Sequence, residues 1–235
     1  MYKYLRVPSE RNPNPVAVGS RVTATTSKQV KDYLLCAGCE DRFNNGGEKE
    51  VLRWVWNGQR FPLGDRLAVA APYYPFGNFQ LFSGTDVGVD TEKFGYFALS
   101  VVWRAAVHQW TLHFGEKTAV LDLGSLQDPI RQYLHGDIDL PAEIAILLTA
   151  CTDQASVGSF YTPSRMLNIP GTAFGLLTLG VHFSVHVGYD IPPSIRQVCC
   201  VRSSRHLIFQ RDCERKTVEA FGELIKTSKP ARGLE

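Results

Sequence analysis

The chain has 235 residues, 44% hydrophobic, 20% charged and 11% aromatic, with a net charge of +2. That is enough apolar material for a sizeable core, in an ordinary composition for a soluble globular protein. The charge is too near neutral for bulk electrostatics to point to a nucleic-acid partner, so any such contact has to come from a local patch.

Residues 1–20 are rich in Pro, Asn and Ser and read as an extended segment or loop. The opening MYKYLRVPSERNPNPV has neither the apolar stretch nor the small-residue cleavage site of a signal peptide. Within 21–36, VKDYLLC reads as a strand entering a Cys pair. From Glu40 to Asn57 the pattern turns helical, with Val51, Trp54 and Val55 on one face. Gly46-Gly47 interrupts it, since each Gly costs about 1 kcal/mol in a helix interior. The expectation is a break there and a better helix from Glu48.

Residues 58–90 are connections punctuated by Pro and Gly, with one short strand at FQLFSG. A helix follows from Thr91 to Trp110. Phe94, Phe97, Ala98, Val101, Val102, Ala105 and Ala106 make it apolar on most sides, which marks a buried helix. Arg104 and His108 interrupt this stretch, and no other approaches the roughly 18 uncharged apolar residues of a membrane span. The protein is therefore expected to be cytoplasmic, without a membrane partner. A further helix is expected over Leu126–His135, with Ser125 as N-cap and Gly136 as its stop. After it, AEIAILLTAC, RMLNI, TAFGLLTLGVHFSVHVG, RQVCCV and HLIFQ read as strands. An amphipathic helix over Asp212–Thr227, built on Val218, Phe221, Leu224 and Ile225, closes the pattern. Helices and strands are segregated, which gives an α+β class with a buried helix on a mainly antiparallel sheet.

The six cysteines are Cys36, Cys39, Cys151, Cys199, Cys200 and Cys213. Without a secretory signal, reduced thiols are expected. Cys199-Cys200 lies in an apolar run and reads as core. Cys36-x-x-Cys39 has the spacing with which two thiolates clamp one tetrahedral ion from a tight turn, and Gly38 suits that turn. The plain alternative is a pair of ordinary thiols at a strand–helix junction. A thioredoxin-like redox pair lacks its βαβ surroundings.

His182 and His186 alternate with Val181, Phe183, Val185 and Val187, so both lie on one face of a strand. At about 3.3 Å per residue they stand roughly 13 Å apart, too far to share an ion, and read as polar-face residues. Arg104 in a mostly buried helix needs a partner, expected to be an acid from the β region, with a phosphate contact as the functional alternative. Lys28, Lys31, Arg42, Lys49 and Arg53 surround the Cys pair and are candidate nucleic-acid contacts. Asp32, Asp41, Glu48 and Glu50 are interspersed among them, so a solvated mixed-charge face is equally compatible. No nucleotide-binding or hydrolase-elbow motif occurs.

Strand, Cys-x-x-Cys and helix in series form the second half of a treble-clef zinc module. The stretch resembles a group of bacterial proteins related to the HNH nucleases, through YLR, NPNPV, QVKDYLLCAGCEDRFNNGGE, FPLGDRL and KFGYFALSVVWRAAVHQW. The resemblance covers about the first half of the chain. It implies a partial treble-clef region over 1–60 and an α+β domain over 61–235. It also implies a zinc ion on Cys36 and Cys39 and, if the protein is active, a Mg²⁺ or Mn²⁺ ion for phosphodiester hydrolysis. Members of that group carry an earlier Cys-x-x-Cys and a His-containing general-base segment just before the counterpart of MYKYLR. A structural zinc wants about four ligands and Cys36 and Cys39 supply two, so the rest come from elsewhere, or the start is set too far downstream, or the site is empty. The chain opens in mid-motif, which favours the second, and without the base segment little or no nuclease activity is expected. Where zinc-containing HNH enzymes often have Cys-x-x-Cys-His, this sequence has Glu40. Glu40 either replaces that His as a metal ligand or is a first-turn acid favoured by the helix dipole. Asn44 and Asn45 read as turn residues beside Gly46-Gly47, and Glu48 as a cap or salt-bridge partner. The rival expectation is a non-catalytic zinc-knuckle binding or scaffold protein with a nucleic-acid or protein partner. A third is a metal-free remnant in which the knuckle only packs.

Overall fold

The computed structural model describes residues 5–6, 14–18, 22–76, 79–152, 154–202, 204–210 and 229–230. The chain begins with strands β1 (Val16–Val18) and β2 (Val22–Thr25). Helix α1 (Ala37–Phe43), a π-helical turn (Asn44–Glu48) and α2 (Lys49–Trp54) then run on without interruption. Next come α3 (Pro62–Val69), β3 (Tyr74–Phe76), β4 (Phe79–Ser83), α4 (Gly84–Val87), α5 (Thr91–Val107) and α6 (Gln127–His135). The second half contains β5 (Ile144–Cys151), α7 (Gln154–Val157), β6 (Phe160–Arg165), β7 (Thr172–Thr178) and β8 (Val181–Val187). The last elements are α8 (Pro193–Gln197), β9 (His206–Gln210) and β10 (Lys229–Pro230).

The class is α+β. A seven-stranded sheet in the order β3-β4-β9-β5-β8-β7-β6 is antiparallel except where β5 runs parallel to β9. A small sheet pairs β1 antiparallel and β10 parallel with β2. Strand β5 is central, which is why its sequence is nearly continuous apolar instead of alternating. On β8, Val181, Phe183, Val185 and Val187 point to the face covered by α5, where the Phe183 ring lies 6.2 Å from Phe94 and 5.7 Å from Phe97. Phe94 and Phe183 are fully buried, each contributing about 1.5–3 kcal/mol of hydrophobic stabilisation. Phe43, Val51 and Val55, from the helical run after the Cys pair, belong to this same apolar cluster.

Several expectations are corrected. The stretch VKDYLLC is not a strand: residues 27–36 form no regular element. Val30, Lys31, Asp32 and Tyr33 are all exposed, so no buried face rewards pleating, and β2 already has neighbours on both edges. Within the N-terminal stretch expected to be an extended segment or loop, Val16–Val18 is strand β1. The helix does not break at Gly46-Gly47. The chain inserts a π turn there, and Asn44 and Asn45 lie inside it and not in a loop. The glycines permit close helix contact: a Cβ on Gly47 would sit 2.6 Å from the Lys93 carbonyl oxygen and 2.8 Å from the Phe97 nitrogen. Helix α3 was hidden by its own Pro and Gly. Pro62 occupies the first turn, where its missing N–H costs nothing, and Leu63 and Leu67 bury one face.

The Thr91 helix ends at Val107, and His108 is already extended. Ser125 is not an N-cap: it lies in a 3-10 turn, Gly124–Leu126, that leads directly into α6, while Gly136 takes the left-handed stop as expected. The strand near RMLNI is β6, displaced toward the N-terminus. It is an edge strand with a register shift between Tyr161 and Ser164, and both features accommodate Pro163. RQVCCV is no strand. Pro193 opens the short helix α8, although Cys199 and Cys200 are buried as expected. The Asp212–Thr227 helix and Cys213 lie outside the described residues. Among those described, no helix is long and apolar enough to cross a membrane.

Candidate metal centre

Cys36 stands at the N-cap of α1 with extended backbone (φ −74°, ψ 162°), and its carbonyl accepts the Glu40 N–H at 3.0 Å. Its thiol is exposed at the first turn of the helix. The Cys39 N–H first, then the Cys39 thiol, hold Cys36 below the usual thiol range. The same contact with Cys36, together with burial, holds Cys39 above it. The two sulfurs therefore act as a pair, the outer one favoured as thiolate.

Cys39 is half-buried and faces inward, where its Sγ lies 3.8 Å from Nε2 of His135 at the end of α6. Two further contacts bring these elements together. The Arg42 guanidinium donates to the His135 carbonyl, and on α5 the Tyr96 hydroxyl donates to the Leu134 carbonyl at 2.7 Å. Burial pushes the Tyr96 phenol up to about 12, so it remains a donor at any ordinary pH. A cleft of about 20 Å³ opens beside Cys39, room for about one water or ion. Leu35, Phe43, Trp103 and Leu134 form its apolar walls, with Arg131 and His135 at its edge. The Trp103 indole N–H is buried without a partner.

Behind this centre the helix is fixed to the core. Phe43 packs edge-on against Tyr96 and Trp103, at 6.1 and 6.2 Å. Arg104 lies 5.6 Å above the Phe43 ring and donates to Glu48 at 2.7 Å. The partner of Arg104 is therefore not an acid from the β region. It is Glu48, brought one helix away by the π turn, and the salt-bridge expectation for Glu48 holds. His108 pairs instead with Asp32 at 2.7 Å.

The other candidates are dispersed. Glu40 is exposed in the first turn of α1, where an acid favours the helix dipole. Lys28 and Lys31 stand on the irregular arm. Arg42 is engaged by His135, Lys49 by Asn45 at 2.6 Å and Arg53 by Glu50 at 2.9 Å. His182 and His186 share one face of β8 as expected, but that face is largely covered. Burial lowers both, His182 to about 4, so both are neutral near pH 7. The Tyr161 ring, 6.1 Å from His182, contributes to that cover.

Sequence reasoning missed His135. Its only sequence signal was its place as the last residue of a helix before Gly136. Among the described residues, no three His, Cys, Asp or Glu side chains already converge as a metal site. The donors present nevertheless suit zinc, two thiols and one imidazole being soft to borderline ligands. Comparison with protein-family models finds no match, and none is found among curated proteins or solved structures.

Proposed function

We propose that this chain is a non-catalytic zinc-knuckle protein of the HNH-nuclease-like group, with Cys36 and Cys39 binding the metal and the rest of the fold acting as a scaffold for a partner. The paired thiols at the start of a core-anchored helix carry this reading. The preceding antiparallel hairpin of β1 and β2 supports a treble-clef arm. A catalytic role for Glu40 with Mg²⁺ or Mn²⁺ has less support, because its exposed carboxylate is on the first turn and favours the helix dipole there. A nucleic-acid partner also has less support than a protein, because Arg42 and Arg53 are engaged within the chain.

Metal analysis of protein purified under reducing conditions tests the proposal. About one zinc per chain is expected, lost on Cys36→Ser. A zinc-free protein indifferent to that substitution leaves only the metal-free remnant. Plasmid cleavage with Mg²⁺ or Mn²⁺ that disappears in Glu40→Ala would restore the nuclease reading. Salt-sensitive binding to a DNA duplex would reverse the preference for a protein partner.

A further inference from the structure

We infer that His135 is the third ligand of the metal, so that the ion joins the start of α1 to the end of α6. The inference rests on Cys36 and Cys39 being metal ligands, and it adds a donor from 96 residues further along the chain.

The geometry is that of a tetrahedral edge. With Zn–S about 2.3 Å and Zn–N about 2.0–2.1 Å, sulfur and nitrogen on one tetrahedral ion stand about 3.6 Å apart. Cys39 Sγ and His135 Nε2 are 3.8 Å apart before any metal is placed. Cys36 stands one helical turn before Cys39, at the N-cap of the same helix, which is the spacing with which two thiolates hold one ion. Completing the set requires the exposed Cys36 side chain to turn toward the cleft. Cys39 and His135 already stand at this separation.

The electrostatics agree. His135 is the last residue of α6, whose dipole gives that end partial negative charge, although its last carbonyls are taken up, Leu134 by Tyr96 and His135 by Arg42. The thiolates stand near the first N–H groups of α1, where negative charge is favoured. An ion between them has the favourable end of each helix behind its ligands. Arg131, the cation at the cleft edge, is paired with Asp128 at 2.8 Å. Three protein donors leave a fourth position for water or a partner's side chain, as in open zinc sites.

The test uses the full chain, stripped with a chelator under reducing conditions and titrated with Zn²⁺ against a chromophoric competitor. His135→Ala is expected to weaken zinc binding by more than about 100-fold, beyond the 10–100-fold typical of a group that merely supports a ligand. His135→Cys is expected to restore binding. In the Co²⁺-loaded protein it should strengthen the sulfur-to-metal charge-transfer band. X-ray absorption of zinc-loaded wild type gives a readout independent of any variant's folding, and imidazole scattering beside the sulfur shell is expected. Zinc bound without imidazole scattering, or His135→Ala binding as tightly as wild type, overturns His135 as ligand and leaves the Cys pair standing. Wild type that takes no zinc, or that isolates with a Cys36–Cys39 disulfide insensitive to metal, overturns both.

Discussion

Replacing Gly47 with Ala sets two opposing effects against each other at the contact that holds the helical run after Cys36 on the core. Ala is a better helix former by about 1 kcal/mol, so propensity alone predicts stabilisation. The added Cβ, however, falls 2.6 Å from the Lys93 carbonyl oxygen and 2.8 Å from the Phe97 nitrogen. Both are backbone atoms of α5, so no side-chain rotation relieves the contact. The helices must part by about 0.8 Å to reach an ordinary 3.4 Å approach. Overpacking of this kind costs typically 1–3 kcal/mol, and an unyielding backbone wall places Gly47 at the upper end. The net expectation is destabilisation by about 2 kcal/mol, or about 4–8 °C in Tm for a chain of this size. Gly38→Ala is the control. Nothing lies within 4 Å of its added Cβ, and it should be neutral or stabilising by up to about 1 kcal/mol. Urea and thermal unfolding of both variants measure the difference. If Gly47→Ala proves as stable as wild type, the close packing of the π turn on α5 is not what fixes α1.

Two further outcomes follow from buried polar groups. His182 is held at about 4 by burial, against 6.5 in the unfolded chain. Between those values the unfolded state carries more protons, so stability is full above pH 6.5, falls as the pH drops through the window and levels below 4. The whole excursion amounts to about 3 kcal/mol. His182→Gln should flatten the urea-derived stability profile over that range, and an unchanged slope would show that His182 titrates normally. Glu48→Ala should cost about 1–3 kcal/mol by leaving the half-buried Arg104 without its carboxylate. A double-mutant cycle with Arg104→Ala measures the coupling, and a value near zero would mean that solvent screens the pair completely.

What could be read from the sequence was local. Strands β5, β7, β8 and β9 announced themselves because apolar runs and period-two alternation record burial directly in composition. Helix α5 did so because it is apolar on most sides. Elements failed where a residue's meaning depends on a distant neighbour. Gly46-Gly47 reads as a breaker until α5 lies against it, and the partner of Arg104 is chosen by the π turn, 56 residues away in sequence. RQVCCV looks like a strand, yet the neighbouring Pro192-Pro193 commits the backbone to a helical turn, and the cysteines are buried by tertiary packing. The Cys pair was visible because its spacing is itself the signal. His135 was not, because only the packing of α6 against α1 brings it to Cys39.

That packing also divides the labour within the Cys pair. The irregular residues 27–36, exposed except at Leu34 and Leu35, end at Cys36, while Cys39 belongs to a helix held by three separate restraints. Phe43 lies between Tyr96 and Trp103, Gly47 is closed against α5, and Glu48 meets Arg104. None of the three involves a thiol. The helix therefore owes its position to the core, unlike small zinc modules whose fold depends on the metal. Cys39 is consequently held in place, and Tyr96 and Arg42 hold the end of α6 beside it. Cys36, by contrast, has an exposed side chain. The asymmetry in their thiols has the same origin: the inner sulfur is raised by contact with its partner and by burial, the outer one lowered by the open N–H groups of the helix start.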